Sequence, residues 1–232
     1  MSTRAFGTLL LASLALASCR AETPTDAPRF PDARRDVAPI VSDSFSTEDA
    51  RDRLGEAELV MELAGVAPGM VVADIGAGEG YYTVRLARAV GEEGRVLAQD
   101  IQRDVRDQLA RRVQREDLEN VAVRLGAAND PRLPARSFDR IFLVHMYHEV
   151  AEPYEFLWHL RAGLKPGGQV IVVDADRPIK RHGMPPELLD CEFAALGLRR
   201  VSTAEINGTQ AYFAAFEIGG PRPAPEDIEP CS

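Results

Sequence analysis

The chain has 232 residues, 45% of them hydrophobic, and a net charge of −9 at neutral pH, a length that suits one domain with a sizeable core. Its cations are almost all arginine, Lys165 and Lys180 being the only lysines. An acidic surface without a basic stripe matches a nucleic-acid backbone poorly, which argues against DNA or RNA as partner and points to a small molecule or a protein side chain.

Residues 1–19 carry Arg4, an apolar run from about Phe6 to Ala17 and small residues before Cys19. The run is short for a membrane span and reads as an export signal. Leu16-Ala17-Ser18-Cys19 resembles a bacterial lipobox, which implies cleavage before Cys19, a lipid on that cysteine and a membrane-anchored protein on the periplasmic side. Residues 20–48, rich in Pro, Asp, Ser, Thr and Arg without apolar periodicity, are expected to form a flexible tether. Cys191 and Cys231 remain. They could pair in an oxidising compartment, but Cys191 falls in an expected helix and two cysteines make no disulfide framework, so the plain reading is two free thiols.

Thr47 to Ala64 reads as one helix with Leu54, Ala57, Leu59, Val60 and Leu63 on its apolar side, and Pro68-Gly69 turns the chain into a strand. Val71, Val72, Ala73 and Ile75 suit a strand buried on both faces, while Tyr82, Val84, Leu86, Ala87 and Val90 suit one side of a following helix. Between them lie Gly76, Gly78 and Gly80. Such a turn lets a ligand approach the main chain, next to the unpaired N–H groups of a helix N-terminus. A dinucleotide fingerprint would need glycine at Tyr81, so the spacing disfavours a nicotinamide oxidoreductase.

The block Asp74-Ile75-Gly76-Ala77-Gly78-Glu79-Gly80 resembles the first motif of the class I S-adenosylmethionine-dependent methyltransferases. The resemblance implies an α/β, Rossmann-like fold: a seven-stranded, mostly parallel sheet with an antiparallel last strand and helices on both faces. It also implies S-adenosylmethionine as cofactor, held at Asp74, Gly76, Ala77, Gly78 and Gly80, with the N-terminal helix lidding it so that Arg51 or Arg53 reaches over the methionine carboxylate. The next strand, Gly94 to Gln99, ends at Asp100, whose carboxylate can accept two hydrogen bonds from a ribose diol. Ile101 follows, placed to pack on adenine.

Ile101 to Leu118 is helical in period and heavily charged, and Val121 to Leu125 is a third strand. After Gly126 many class I methyltransferases carry an acid that contacts the adenine amino group; Ala127 stands there, and the role passes to Asn129 or Asp130. Arg140 to Val144 is a strand that should be central, running into His145-Met146-Tyr147-His148-Glu149 at the crevice outside the strand ends. The passage resembles a bacterial branch of exported predicted methyltransferases; these commonly show an acid where this chain has His145, which is expected at the cofactor without an acid's role. Methyl transfer from a sulfonium is an in-line displacement; a base is needed where the acceptor must lose a proton, and His148 and Glu149 are the candidates.

Glu152 to Leu164 reads as a helix, Lys165-Pro166-Gly167-Gly168 as a turn and Gln169 to Val173 as a strand ending in Asp174 and Asp176. No metal-binding motif occurs. A loop containing His182 lies on the acceptor side, Pro185 to Leu196 is a helix, and Leu198 to Ile206 pairs with Thr209 to Ile218 through Asn207-Gly208. The domain therefore runs from 49 to 218, followed by a Pro- and acid-rich tail over 219–232. Two readings follow. One is a methyltransferase acting on an unidentified small-molecule or protein acceptor. Because S-adenosylmethionine is made in the cytoplasm while the signal directs export, the other is an exported, catalytically inactive binding protein that holds a nucleoside-like ligand in the same crevice.

Overall fold

A computed structural model describes residues 28–40, 48–206 and 208–231; the signal-like segment, Cys19 and Asn207 lie outside the described residues. Seven strands, β1 (Val71–Ile75), β2 (Arg95–Asp100), β3 (Val121–Leu125), β4 (Phe138–Val144), β5 (Leu164–Ala175), β6 (Leu198–Glu205) and β7 (Ala211–Ile218), form one sheet. Their order is β3-β2-β1-β4-β5-β7-β6. Strands β1 to β5 run parallel, and β7 is antiparallel to both β5 and β6. This is the mostly parallel sheet with an antiparallel last strand that the sequence leads one to expect.

The central strands are apolar on both sides because helices cover both faces. Val72, Phe142, Ile171 and Val173 point to one face, where they meet Ala57 and Val60 of α2 (Glu56–Leu63) and Tyr82 and Leu86 of α3 (Tyr81–Val90). Their neighbours Ala73, Ile75, Ile141, Leu143, Val170 and Val172 point to the other, against Phe156 and Leu157 of α5 (Pro153–Ala162) and Leu189 and Phe193 of α6 (Pro186–Ala195). A third group joins Ala98 of β2 to Leu109 and Val113 of α4 (Arg103–Arg115).

The expected single helix over 47–64 is two. Gly55, at φ 62, separates α1 (Glu48–Leu54) from α2. The left-handed turn ends α1, which buries none of its residues, and re-aims α2 so that Glu56, Ala57 and Val60 are buried.

The described residues before and after the sheet-forming region, 28–40 and 219–231, pack on it and its helices. In the stretch read as a tether, Phe30 packs edge-on to Trp158 at 5.7 Å, and the Ala38 N–H donates to the His148 carbonyl at 3.1 Å. Arg35 donates to Glu192 at 2.6 Å with both side chains nearly sealed from solvent, and Glu192 also accepts from the Tyr147 hydroxyl at 2.7 Å. In the tail, Trp158 donates to the Pro223 carbonyl at 3.1 Å and lies under the Arg222 guanidinium. Cys231 is joined to Cys191 by a disulfide, which corrects the expectation of two free thiols. The tail folds back far enough to bury Ile228 and Cys231, so helical placement of Cys191 did not keep it from a partner.

Candidate functional site

From β1 the chain builds β2 and β3 on one side, then crosses back to form β4 on the other. A crevice opens where that direction reverses, at the carboxyl ends of β1 and β4. The turn after β1 forms one wall. Gly78 and Gly80 hold φ of 55 and 91, a region costly for residues with a side chain. A Cβ on Gly78 would meet no protein atom within 4 Å and would project into open space, whereas one on Gly80 would lie 2.4 Å from Leu109 Cδ1. Gly78 thus leaves room for a ligand, and Gly80 leaves room for α4.

Asp74 sits behind this turn. It is 3% exposed and accepts the Thr83 hydroxyl at 2.6 Å, tying the end of β1 to the first turn of α3. Burial pushes its carboxyl up to about 6 against the opposing Thr83 hydrogen bond. Its carboxylate braces the loop and does not line the cleft.

The end of β2 supplies the acid that does. Asp100 lines the cleft and accepts the Gly78 N–H at 3.1 Å and the Gln102 N–H at 2.9 Å. A carboxylate offers about four acceptor positions, so each oxygen retains capacity for a ligand hydroxyl. Ile101, partly exposed, stands beside it. Gln99 also reaches the cleft wall, its Oε1 accepting the Gly76 N–H at 3.4 Å.

The end of β4 closes the opposite side with His145, Met146 and Glu149. His145 adopts φ 52, its N–H donating to the Val173 carbonyl at 2.7 Å, and its Nε2 lies 3.4 Å from Glu56 Oε2. Burial acts to raise the Glu56 carboxyl, but the hydrogen bond from His145 and the charges of His145 and Arg51 outweigh it and hold it down to about 2. Arg51, expected over the ligand, donates to Glu56 and lies 4.0 Å from the Tyr81 ring centre. Behind Glu149, His148 is 3% exposed; its Nδ1 lies 3.0 and 2.9 Å from the oxygens of fully buried Asp174.

The structure therefore gathers Gly76, Gly78, Asp100, Ile101, His145 and Glu149 around one cleft. Ala77, Gly80, Asp74 and His148 lie just behind its walls. Asp130 is turned away, its carboxylate accepting the Arg132 N–H at 2.7 Å, while Ala127 and Ala128 form the wall there. Sequence reasoning missed Ile40, Gln99, Gln102, Val105 and Phe156 as lining residues. Gln99 carried one signal: Gly126 beside it, where any Cβ would fall 1.3 Å from Gln99 Nε2. Ile40 carried none, because it stands in a stretch without periodicity.

Residues 72–168, which span this turn, β2, β4 and the start of β5, match the family model described as a methyltransferase domain. That stretch is similar to a methyltransferase domain. Over 125 residues it is 34% identical to a ubiquinone/menaquinone biosynthesis C-methyltransferase, UbiE, of Teredinibacter turnerae, covering 52% of this chain and 49% of that protein. Over 118 residues it is 29% identical to a demethylmenaquinone methyltransferase of Listeria welshimeri, covering 51% and 50%. The chain spans about half the length of the curated relatives it matches. Among solved structures, a SAM-dependent methyltransferase from Aquifex aeolicus superposes with a TM-score of 0.68 at 27% identity, covering 73% of this chain and 93% of that one. The [4+2]-cyclase SpnF shares the fold at a TM-score of 0.61 and 21% identity. A fold hosts several chemistries, so the reaction of this domain has to be argued from its cleft.

Proposed function

We propose that this chain is an S-adenosylmethionine-dependent methyltransferase acting on a small molecule with an ionisable O–H, S–H or activated C–H group. The observation that carries this reading is the meeting, in one cleft, of the glycine turn after β1, the Asp100 carboxylate and the basic groups that follow β4. The residues present fit the cofactor. Asp100 has acceptor capacity for the ribose diol, Gly78 leaves the space a side chain would fill, and Ile101 gives an apolar surface for adenine. The cofactor supplies an electrophilic methyl group on a sulfonium.

The chain's own residues orient and deprotonate. Gly76 and Gly78 bring the main chain up to the ligand, and Ile40 and Phe156 keep water from part of the cleft. His148, fixed by Asp174, and Glu149, on the cleft wall, are the basic groups on the acceptor side. Alignment of acceptor and methyl group supplies most of the acceleration, and removal of the acceptor proton supplies the rest. The reading is tested by calorimetric titration with S-adenosylmethionine and, separately, NAD, followed by assay of S-adenosylhomocysteine release with hydroquinones, catechols and thiols. Binding of S-adenosylmethionine alone and turnover with one acceptor class is expected; binding of neither ligand sinks the reading.

We also propose that the domain works outside the cytoplasm, anchored through Cys19. The Cys191–Cys231 disulfide supports this, because structural disulfides persist in oxidising compartments. Alkylation of native envelope fractions before and after reduction is expected to label these two cysteines only after reduction; labelling beforehand counts against it.

A further inference from the structure

Next to the cleft, the side chains of His148, Glu149 and His182 bring one ligand atom each to within 4.8 Å of one another. No spacing motif announces this. Two of the residues are consecutive in the turn after β4, and the third comes from the loop after β5. We propose that these three residues form a site for a first-row divalent cation at the acceptor end of the cleft.

The surroundings are those of a built ligand set. A metal-binding histidine commonly holds its other ring nitrogen against a carboxylate, which fixes its tautomer and raises its basicity. His148 has that partner: Nδ1 meets both Asp174 oxygens, leaving Nε2 as the ligand atom. Asp174 is itself fixed, its Oδ1 accepting the Ala175 N–H at 2.8 Å. The His182 ring stands edge-on to that of His148, with centres 5.6 Å apart at 87°.

His182 is held there by its backbone. It sits at φ 55, an uncommon conformation for a residue with a side chain, and is kept in it by several bonds. Its N–H donates to the Ile179 carbonyl at 2.8 Å, and its carbonyl accepts from Arg177 Nε and Nη2 at 3.1 and 3.0 Å. The loop closes on β5 through the Met184 N–H, which donates to the Ala175 carbonyl at 2.9 Å.

Two imidazoles and one carboxylate suit zinc and its neighbours, and three protein ligands leave coordination positions open. Ligands about 2.0–2.1 Å from a tetrahedral ion stand roughly 3.3 Å apart, so binding draws the three inward by an ångström or so. Rotation of the Glu149 side chain can supply that movement. Glu149 also lines the cleft, which puts the site beside it.

The consequence for the reaction rests on the methyltransferase reading. An acceptor X–H bound to the cation loses its proton to water, leaving a metal-held X⁻. That anion forms the X–CH₃ bond as the sulfonium S–CH₃ bond breaks, giving X–CH₃ and S-adenosylhomocysteine. His148 and Glu149 then activate the acceptor through the cation instead of taking its proton directly.

The test uses chelator-treated full-length protein titrated with Zn²⁺ by calorimetry and with Co²⁺ by visible absorption, with S-adenosylmethionine binding measured separately. One equivalent of metal is expected, with a Co²⁺ spectrum of low-symmetry nitrogen and oxygen ligation. His182→Ala should weaken Zn²⁺ binding at least 100-fold, and Asp174→Asn about 10- to 100-fold. His182→Ala is the safer variant, since His182 is less deeply buried than His148 or Asp174; an unchanged metal-free unfolding midpoint shows that it folds. Absence of a Co²⁺ spectrum, or His182→Ala binding as the parent does, overturns the site. Metal binding without S-adenosylmethionine binding would keep the site and remove the methyltransferase reading; the reverse would keep that reading and remove the site.

Discussion

Asp100→Asn is the sharpest probe of the cofactor reading because it changes charge while keeping shape. In the free protein the carboxylate accepts the Gly78 and Gln102 N–H groups at 3.1 and 2.9 Å. An amide keeps one accepting oxygen and turns an NH₂ toward the other donor. Hydrogen bonds to charged groups contribute about 1.5–3 kcal/mol each, so two bonds to the ribose diol set a ceiling of about 3–6 kcal/mol. The neutral amide recovers roughly half of that, leaving a loss of about 1.5–3 kcal/mol, or about 10- to 150-fold in Kd. The assay is calorimetric titration of parent and variant with S-adenosylhomocysteine and with an analogue lacking both ribose hydroxyls. The parent should lose affinity for the analogue, and the two proteins should bind it within about threefold of one another. A variant that binds S-adenosylhomocysteine as tightly as the parent, or loses equally with the analogue, would refute the assignment of Asp100 to the diol.

Other expectations concern stability. Gly80→Ala places a Cβ 2.4 Å from Leu109 Cδ1 at a φ of 91; backbone strain and overpacking together should cost about 2–4 kcal/mol, read as a lower urea midpoint. Glu56 faces Arg51, Tyr82 and His145 and is held down to about 2 from an ordinary 4.5. Its lowered value contributes about 3 kcal/mol, fully present above pH 4.5 and lost as pH falls toward 2. Parent and Glu56→Gln should therefore differ most at neutral pH and converge in acid; a constant gap in urea unfolding between pH 7 and pH 3 contradicts this. Arg35→Ala leaves Glu192 buried without its cation and should cost about 3–5 kcal/mol; a change under about 1 kcal/mol would mean that this segment is not part of the folded unit. Cys231→Ser opens a loop closed across a sequence separation of 40. Chain entropy puts that loss at about 4 kcal/mol, and reduction of the parent should reproduce it.

The strands and the glycine turn were legible because their signals are local. A doubly buried strand reads as an apolar run, as at Val71–Ile75, and a turn with left-handed residues demands glycine, as at Gly78. Asp100 was legible for the same reason, standing where β2 ends. What the sequence hid depends on distant partners. Asp74 and Asp100 look alike as strand-terminal acids, yet Asp74 is consumed by Thr83 and only Asp100 reaches the cleft. Composition made residues 28–40 look like a linker, because Phe30 and Arg35 anchor them without periodicity, on a surface formed by Trp158 and Glu192. The disulfide and the approach of His182 to His148 were hidden likewise, each set by how a late segment folds back onto α6 or β5.

The Arg35–Glu192 pair also bears on the order of folding. Its partners are 157 residues apart, so a chain emerging from its N-terminus exposes Arg35 long before Glu192 exists. Contacts of such separation form late, after the loop-closure entropy has been overcome by nearer ones. The stretch 28–40, whose Ile40 walls the cleft, thus docks only onto a surface that includes finished α6. A nascent chain that already has β1 to β4 has the glycine turn and Asp100 but an incomplete cleft. Completion of the cleft wall at Ile40 in that sense waits for α6, long after the glycine turn has been made.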